Sequence, residues 1–254
     1  MKALVTGASS GIGYEFAKVL AKNKHEIILV SRNKEKLKKL KKEIERDYNV
    51  KVSVYKADLS KLNELKKFYR QVKNEDIDIL INNAGVGDFG KFLEVSWEKD
   101  NEVIDLNIKA LTILTKLFSK NMVKRREGKI LNVASIAAFQ PGPYLAVYSA
   151  TKSYVLHFSE ALAEELKGTG ITVTTLCPGL TSSSFFKRSG ISYDEVKTWK
   201  NLATSKEVAE YGYEMMMKNK IIAVYGLRNR FNIFLKRFLP RNFITKITGR
   251  VLKI

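Results

Sequence analysis

The chain of 254 residues is 45% apolar and 28% charged and carries a formal net charge of +19. These proportions leave room for a substantial core and exclude disorder, collagen and low-complexity repeats as descriptions of the whole chain. A lone cysteine, Cys177, excludes an intrachain disulfide and a zinc site built on paired cysteines, and no metal site is expected.

Short apolar runs alternate with amphipathic stretches. A strand is expected over 2–6 and a helix over 11–22, then a strand over 26–31 and a helix over 33–47, with Leu37, Leu40 and Ile44 at helical spacing. Strand 51–56 precedes helix 60–73, strand 77–82 precedes helix 98–123, and strand 129–134 precedes helix 148–167. Strand 171–176, helix 205–219 and a short strand over 221–225 complete the series. Apolar runs without strict alternation suit strands buried on both faces. The α/β reading is therefore a single Rossmann-like domain over 1–227, a doubly wound parallel sheet of about seven strands with helices on both faces. Two regions depart from the alternation. Residues 180–204 are polar and irregular and are expected to form a lid; residues 228–254 are basic and apolar and are expected to form an amphipathic helical tail.

Between the first strand and first helix runs Gly7-Ala8-Ser9-Ser10-Gly11-Ile12-Gly13. Here Gly7 permits a tight turn, Gly11 lets the backbone approach a pyrophosphate, and Gly13 lets the helix pack closely on the sheet. The helix N-terminus adds free N–H groups and positive partial charge, and Ser9 and Ser10 add hydroxyl donors. In this strand–turn–helix setting the motif points to a dinucleotide. The absence of a Gly-Lys-Ser/Thr ending disfavours a nucleotide triphosphatase.

The spacing Thr6-Gly7-x-x-x-Gly11-x-Gly13 resembles that of the short-chain dehydrogenase/reductase family. Further motifs follow in order: Asn82-Asn83-Ala84-Gly85, Ser135, Tyr148-x-x-x-Lys152 and Pro178-Gly179. The resemblance covers about residues 2–225 and extends distantly to bacterial ketoacyl and hydroxysteroid reductases. It implies that Ile12 joins the cofactor cradle, that Asp58 and Leu59 contact adenine, and that Asn83, Ala84 and Gly85 line the floor near the adenosine ribose. Pro178, Gly179 and Thr181 are assigned to the cofactor by the same likeness.

The end of the second strand selects the dinucleotide: an acid there binds the ribose of NAD, and a base accommodates the extra phosphate of NADP. This strand ends in Ser31-Arg32-Asn33, with no acid, so NADP(H) is expected over NAD(H), with Arg32 on the phosphate.

Tyr148 and Lys152 are four apart and share a helix face. A carbonyl reduced to an alkoxide needs a proton, and tyrosine donates one well when its pKa falls toward neutral. A neighbouring Lys⁺ is expected to lower it by roughly two to three units, worth about 3 to 4 kcal/mol. The resemblance implies that Lys152 also reaches the nicotinamide ribose, that Ser135 polarises the substrate oxygen, and that Asn107 supports a water-mediated proton relay. Other chemistry is weaker. His25 and His157 read as packing or surface residues, Cys177 as a small buried residue, and no Gly-x-Ser-x-Gly elbow is present.

The substrate is expected over the carboxyl ends of the strands. Thr181, Phe185, Phe186, Tyr193 and Trp199 would cover it from the lid, and Phe139, Pro141, Pro143, Tyr144 and Leu145 would form another wall. These aromatic groups suit a fairly apolar ketone or aldehyde, or simply pack the lid. From Lys218 onward there is no Asp or Glu, and Pro240 divides two short basic amphipathic stretches. An anionic membrane surface, or else the body or a sister subunit, would cover their apolar side. Nucleic acid is not expected.

The resulting expectation is an oxidoreductase acting on the CH–OH group, a cytoplasmic NADP-dependent carbonyl reductase. The resemblance implies a homodimer or homotetramer formed through helices 98–123 and 148–167. The alternatives are a non-catalytic NADPH sensor or scaffold and a peripheral membrane protein that kept the fold.

Overall fold

The computed structural model spans all 254 residues, and the structure describes residues 1–182, 189 and 202–252. Phe185, Phe186, Tyr193 and Trp199 lie outside the described residues.

The elements in chain order begin with β1 (Lys2–Thr6), α1 (Gly11–Lys22), β2 (Glu26–Ser31), α2 (Lys34–Tyr48), β3 (Val52–Lys56), α3 (Leu62–Val72) and β4 (Ile79–Asn82). Next come α4 (Trp97–Ile104), a π-helical turn (Asp105–Ala110), α5 (Leu111–Arg125), β5 (Gly128–Val133), a 3-10 turn (Ile136–Phe139), α6 (Ala146–Glu165) and β6 (Ile171–Cys177). The remainder is β7 (Thr181–Ser182), β8 (Ala203–Thr204), α7 (Ser205–Met217), β9 (Ile222–Val224), α8 (Leu227–Lys236) and α9 (Arg241–Leu252).

Seven strands form one parallel sheet in the order β3-β2-β1-β4-β5-β6-β9. Successive side chains of a strand face opposite ways. In β1, Ala3 and Val5 therefore pack toward α1, α2 and α7, while Leu4 packs toward α3 and α5. Both layers are apolar, which is why β1 reads as an uninterrupted apolar run. Phe16 and Leu20 of α1 and Leu37, Leu40 and Ile44 of α2 are fully buried on the first face. Phe68 of α3 and Phe118 of α5 fill the second. Each such side chain contributes roughly 1.5–3 kcal/mol.

The strand order reverses between β1 and β4, which opens a crevice at their carboxyl ends. Two details differ from expectation. The helix expected over 98–123 is broken by the π-helical turn, because Asn107 is drawn into the core by partners outside the helix. At the foot of the segment expected to be a lid, β7 and β8 pair in parallel, and the Ser205 hydroxyl donates to Ser182 O at 3.0 Å. Among the described residues no helix is long and apolar enough to cross a membrane.

Candidate active site

A cavity of about 560 Å³ occupies the crevice. One end is the turn after β1, where Gly7, Ser9, Ser10, Gly11 and Ile12 line it. Gly7 adopts φ +67°, and a Cβ there would meet Ala84 Cα at 2.8 Å. Gly13 does not line the cavity. A Cβ on it would meet Asn83 Nδ2 at 2.3 Å and Gly7 O at 2.6 Å, so its role is close approach of α1 to the turn. The Asn83 amide donates to Thr6 O at 2.9 Å and to Gly7 O at 3.3 Å. The Thr6 hydroxyl accepts from the backbone N–H of Asn83 and of Ala84. Asn83 thus ties the β1 turn to the β4 turn, and Ala84, Gly85 and Val86 continue the cavity floor. The N-terminus of α1 has no side-chain cap and no acid in its first turn. Its positive dipole end, where Gly11 and Ile12 line the cavity, therefore meets no acid of its own first turn, which suits a bound phosphate.

Beyond the turn, Arg32, Asn33, Lys36, Asp58 and Leu59 line the cavity. Arg32 is half exposed, and its guanidinium lies 2.9 Å from Glu102 of α4. Asn33 Oδ1 caps α2 by accepting from Lys36 N, and Lys36 of that first turn lines the same cavity as Arg32. Asp58 Oδ1 accepts from the Ser60 N–H and hydroxyl, an Asx turn that fixes its carboxylate.

At the other end, Ser135, Tyr148, Lys152, Pro178, Gly179 and Thr181 line the cavity. Ser135 starts the 3-10 turn, its Oγ accepting from Ala137 N, and its hydroxyl is hydrogen-bonded to the Tyr148 side chain. Lys152 is buried; its Nζ donates to Val133 O at 2.8 Å and lies 5.8 Å from the centre of the Tyr148 ring. The expected lowering of Tyr148 by Lys152 is absent from this structure. Burial pushes Tyr148 up to about 12, opposed only by the bond to Ser135. Burial pulls Lys152 down to about 8. For both groups desolvation by burial is the largest cause of the shift.

Asn107 does not line the cavity. Its Oδ1 accepts from Val86 N at 3.0 Å, and its Nδ2 donates to Val86 O at 2.9 Å and Thr151 Oγ1 at 3.0 Å. Thr151 in turn donates to Tyr148 O at 2.7 Å. The amide thereby couples the floor after β4 to the first turns of α6. A Cβ on Gly85 would meet Asn107 Oδ1 at 3.2 Å and Lys152 Nζ at 3.5 Å, so Asn107 sits close behind the floor residue Gly85 and beside Lys152.

Of the expected apolar wall, Leu145 lines the cavity, whereas Phe139, Pro141, Pro143 and Tyr144 do not. Phe139 packs instead on a small core with Ala138 and Val155. Pro143 and Tyr144 line a shallower groove with Phe92 and α9. Sequence reasoning missed Lys36, whose only signal is its place in the first turn of α2. It also missed Gln140, which follows the 3-10 turn, and Thr248 and Leu252, which the tail brings to the cavity without any local signal. His25 is buried with its Nε2 2.9 Å from the Tyr213 hydroxyl, His157 is exposed, and Cys177 is buried with its thiol pushed up to about 12 by burial.

A glycine-lined phosphate cradle at a strand-order switch, with a Ser–Tyr–Lys group opposite, defines the class of dinucleotide-binding α/β proteins. Residues 1–193 match the family model for short chain dehydrogenase, and the chain belongs to that family. It is 37% identical over 187 residues to the human protein named "Inactive hydroxysteroid dehydrogenase-like protein 1", covering 72% of this chain and 56% of that one. It is 35% identical over 190 residues to the rat "Very-long-chain 3-oxoacyl-CoA reductase", covering 73% and 61%. The chain thus spans little more than half the length of these curated relatives. The solved structure of a short-chain dehydrogenase from Sphingobium yanoikuyae in complex with NADPH superposes with a TM-score of 0.85 at 29% identity, covering 93% of each chain.

Proposed function

We propose that the chain is an NADP(H)-dependent oxidoreductase acting on a carbonyl or secondary alcohol. The observation that carries this is one continuous cavity with the phosphate cradle at one end and Ser135, Tyr148 and Lys152 at the other. The cradle fits a dinucleotide: the turn is closed to any Cβ at Gly7, and the α1 N-terminus faces it without an acid. Arg32 and Lys36, with no acid at the β2 tip, favour the additional phosphate of NADP over NAD. The NADPH named with the Sphingobium structure supports the same choice.

The turn at Gly7–Gly11 would hold the dinucleotide, whose nicotinamide would supply the hydride when bound. Ser135 orients the substrate oxygen by hydrogen bonding, and Tyr148 Oη holds the proton which that oxygen takes up. A phenol kept neutral near pH 7 is in the donating state required for reduction. Lys152, still mostly cationic at that pH, faces the charge that develops when the phenol gives up its proton. Asn107 holds the backbone at Tyr148 through Thr151 and so acts as a positioning residue, beside the relay role its family position implies. Val86, Ile136, Leu145, Leu180 and Leu252 add apolar lining to the cavity that Tyr148 shares, which supports an apolar ketone or aldehyde. The rat relative's name supports an acyl ketone within that class. A homodimer or homotetramer through α4–α5 and α6 is supported by the exposed Ile104, Val123 and Tyr154. Residues 180–204 are assigned as a lid on the 1–227 domain, with 228–254 as a tail.

The second reading, a cofactor-binding protein without turnover, is favoured by the name of the human relative. The test is a fluorescence titration with NADPH and NADH, followed by NADPH oxidation against a panel of apolar ketones and aldehydes. Tighter NADPH binding with turnover supports the proposal. Binding without turnover on any carbonyl supports the sensor, and equal or tighter NADH binding removes the assignment of Arg32.

A further inference from the structure

We propose that α8 and α9 dock the protein on an anionic lipid surface and hold the mouth of the cavity against it. Each of the two helices has an inner and an outer side. Asn229 of α8 donates to Tyr225 O, and Lys236 is bonded to Gln140, so this side is fastened to the body. Ile244 and Thr248 of α9 are buried, and Thr248 and Leu252 line the cavity.

The outer side is apolar and exposed. On α8 and its continuation, Leu227, Phe231, Phe234 and Phe238 recur at helical spacing, with Leu227 80% and Phe238 72% exposed. On α9, Phe243, Ile247 and Val251 recur every four residues, with Val251 75% exposed. Singly exposed apolar residues are ordinary, but an exposed apolar stripe on each of two consecutive helices is a surface that binds something. Phe92, 62% exposed, adjoins α9 across the shallow groove and extends this surface beside the cavity wall.

Charge identifies the occupant. Arg228, Arg237, Arg241, Lys246 and Arg250 are exposed among these apolar residues, and no Asp or Glu occurs after Glu214. A second copy meeting the same surface would set arginine against arginine. A nucleic acid would answer the cations but leave the phenylalanines with no apolar partner. An anionic bilayer answers both: its headgroups attract the cations, and its acyl boundary takes up the apolar side chains. Because Thr248 and Leu252 lie on the inner side of the same helix, a docked tail places the cavity wall next to the lipid. The docking stands apart from the reductase reading; delivery of an apolar substrate by this route rests on it.

The test is co-sedimentation of the full chain with vesicles of phosphatidylcholine alone and of phosphatidylcholine mixed with phosphatidylglycerol, without substrate or turnover. Binding to the mixed vesicles only, weakened by salt, is the expected result. Lys246→Ala with Arg250→Ala should weaken it on the order of tenfold or more. Phe231→Ser with Val251→Ser, both at exposed positions, should weaken it comparably while the circular dichroism melt stays unchanged. The proposal is overturned by no binding to the mixed vesicles, by equal binding to neutral ones, or by variants that bind like the parent. It is also overturned if sedimentation velocity shows a dimer that Phe231→Ser dissociates while vesicle binding persists.

Discussion

The Arg32 guanidinium and the Glu102 carboxylate lie 2.9 Å apart, joining the tip of β2 to α4 beside the cavity wall. Glu102 also holds Lys99 at 2.8 Å, so one carboxylate orients two cations. A phosphate at Arg32 therefore meets a guanidinium already held in place but partly neutralised. Arg32→Ala is expected to weaken NADPH binding by roughly 10- to 150-fold, from the loss of charge-assisted hydrogen bonds worth roughly 1.5–3 kcal/mol. NADH binding should change little. Glu102→Gln should tighten NADPH binding while altering stability by less than about 1 kcal/mol, as is usual for partly exposed pairs. Nicotinamide fluorescence titrations of both variants check this.

Asn107 makes three hydrogen bonds in a site that is 1% exposed. Asn107→Leu leaves the Val86 N–H and C=O without these partners. A loss of about 2–4 kcal/mol is expected, since each buried unsatisfied group costs roughly 1–3 kcal/mol. Urea unfolding of the cofactor-free protein measures it. A loss below about 1 kcal/mol would show that the amide does not hold the floor to α6.

Lys152 titrates near 8 in the folded protein, against 10.5 for an ordinary lysine. Between these values the unfolded chain binds the proton more tightly, so stability rises with pH across this window. The cost of burying the cation is fully present below about pH 8 and is relieved as the pH climbs toward 10.5. Lys152→Met is expected to be more stable than the parent at pH 7 by up to about 3 kcal/mol, less about 1 kcal/mol for the lost bond to Val133 O. The difference should shrink steadily above pH 8, which thermal melts across that range detect.

Gly13→Ala places a methyl 2.3 Å from Asn83 Nδ2 and 2.6 Å from the Gly7 carbonyl. The amide that ties the β1 turn to β4 must move, and the phosphate cradle moves with it. Expected are a loss of roughly 1–3 kcal/mol in stability and a marked loss of affinity for both NADPH and NADH. A calorimetric melt and a binding titration read the two effects separately.

The sheet was legible because parallel strands buried on both faces carry uninterrupted apolar runs, as in β1, β2 and β4. Gly7, Arg32, Asn83 and Ser135 were legible because each follows a strand, Gly7, Asn83 and Ser135 in motifs that resemble the family's, and Tyr148 and Lys152 because their spacing puts them on one helix face. What pattern reading missed depends on distant partners. The π-helical turn arises because Asn107 bonds Val86 and Thr151, 21 and 44 residues away. The Arg32–Glu102 pair spans 70 residues. The high pKa of Tyr148 reflects burial, whereas the four-residue spacing revealed only its neighbour Lys152. Thr248 and Leu252 reach the cavity only because α9 folds back across it.

The central claim is that Tyr148 donates the proton in a working reductase. The most direct measurement compares wild type and Tyr148→Phe for NADPH oxidation with an apolar ketone, alongside NADPH binding. The account predicts that the variant binds NADPH as the parent does and loses turnover by about 10²–10⁴-fold. A variant that turns over like the parent, or a wild type with no turnover on any carbonyl despite tight NADPH binding, would contradict it.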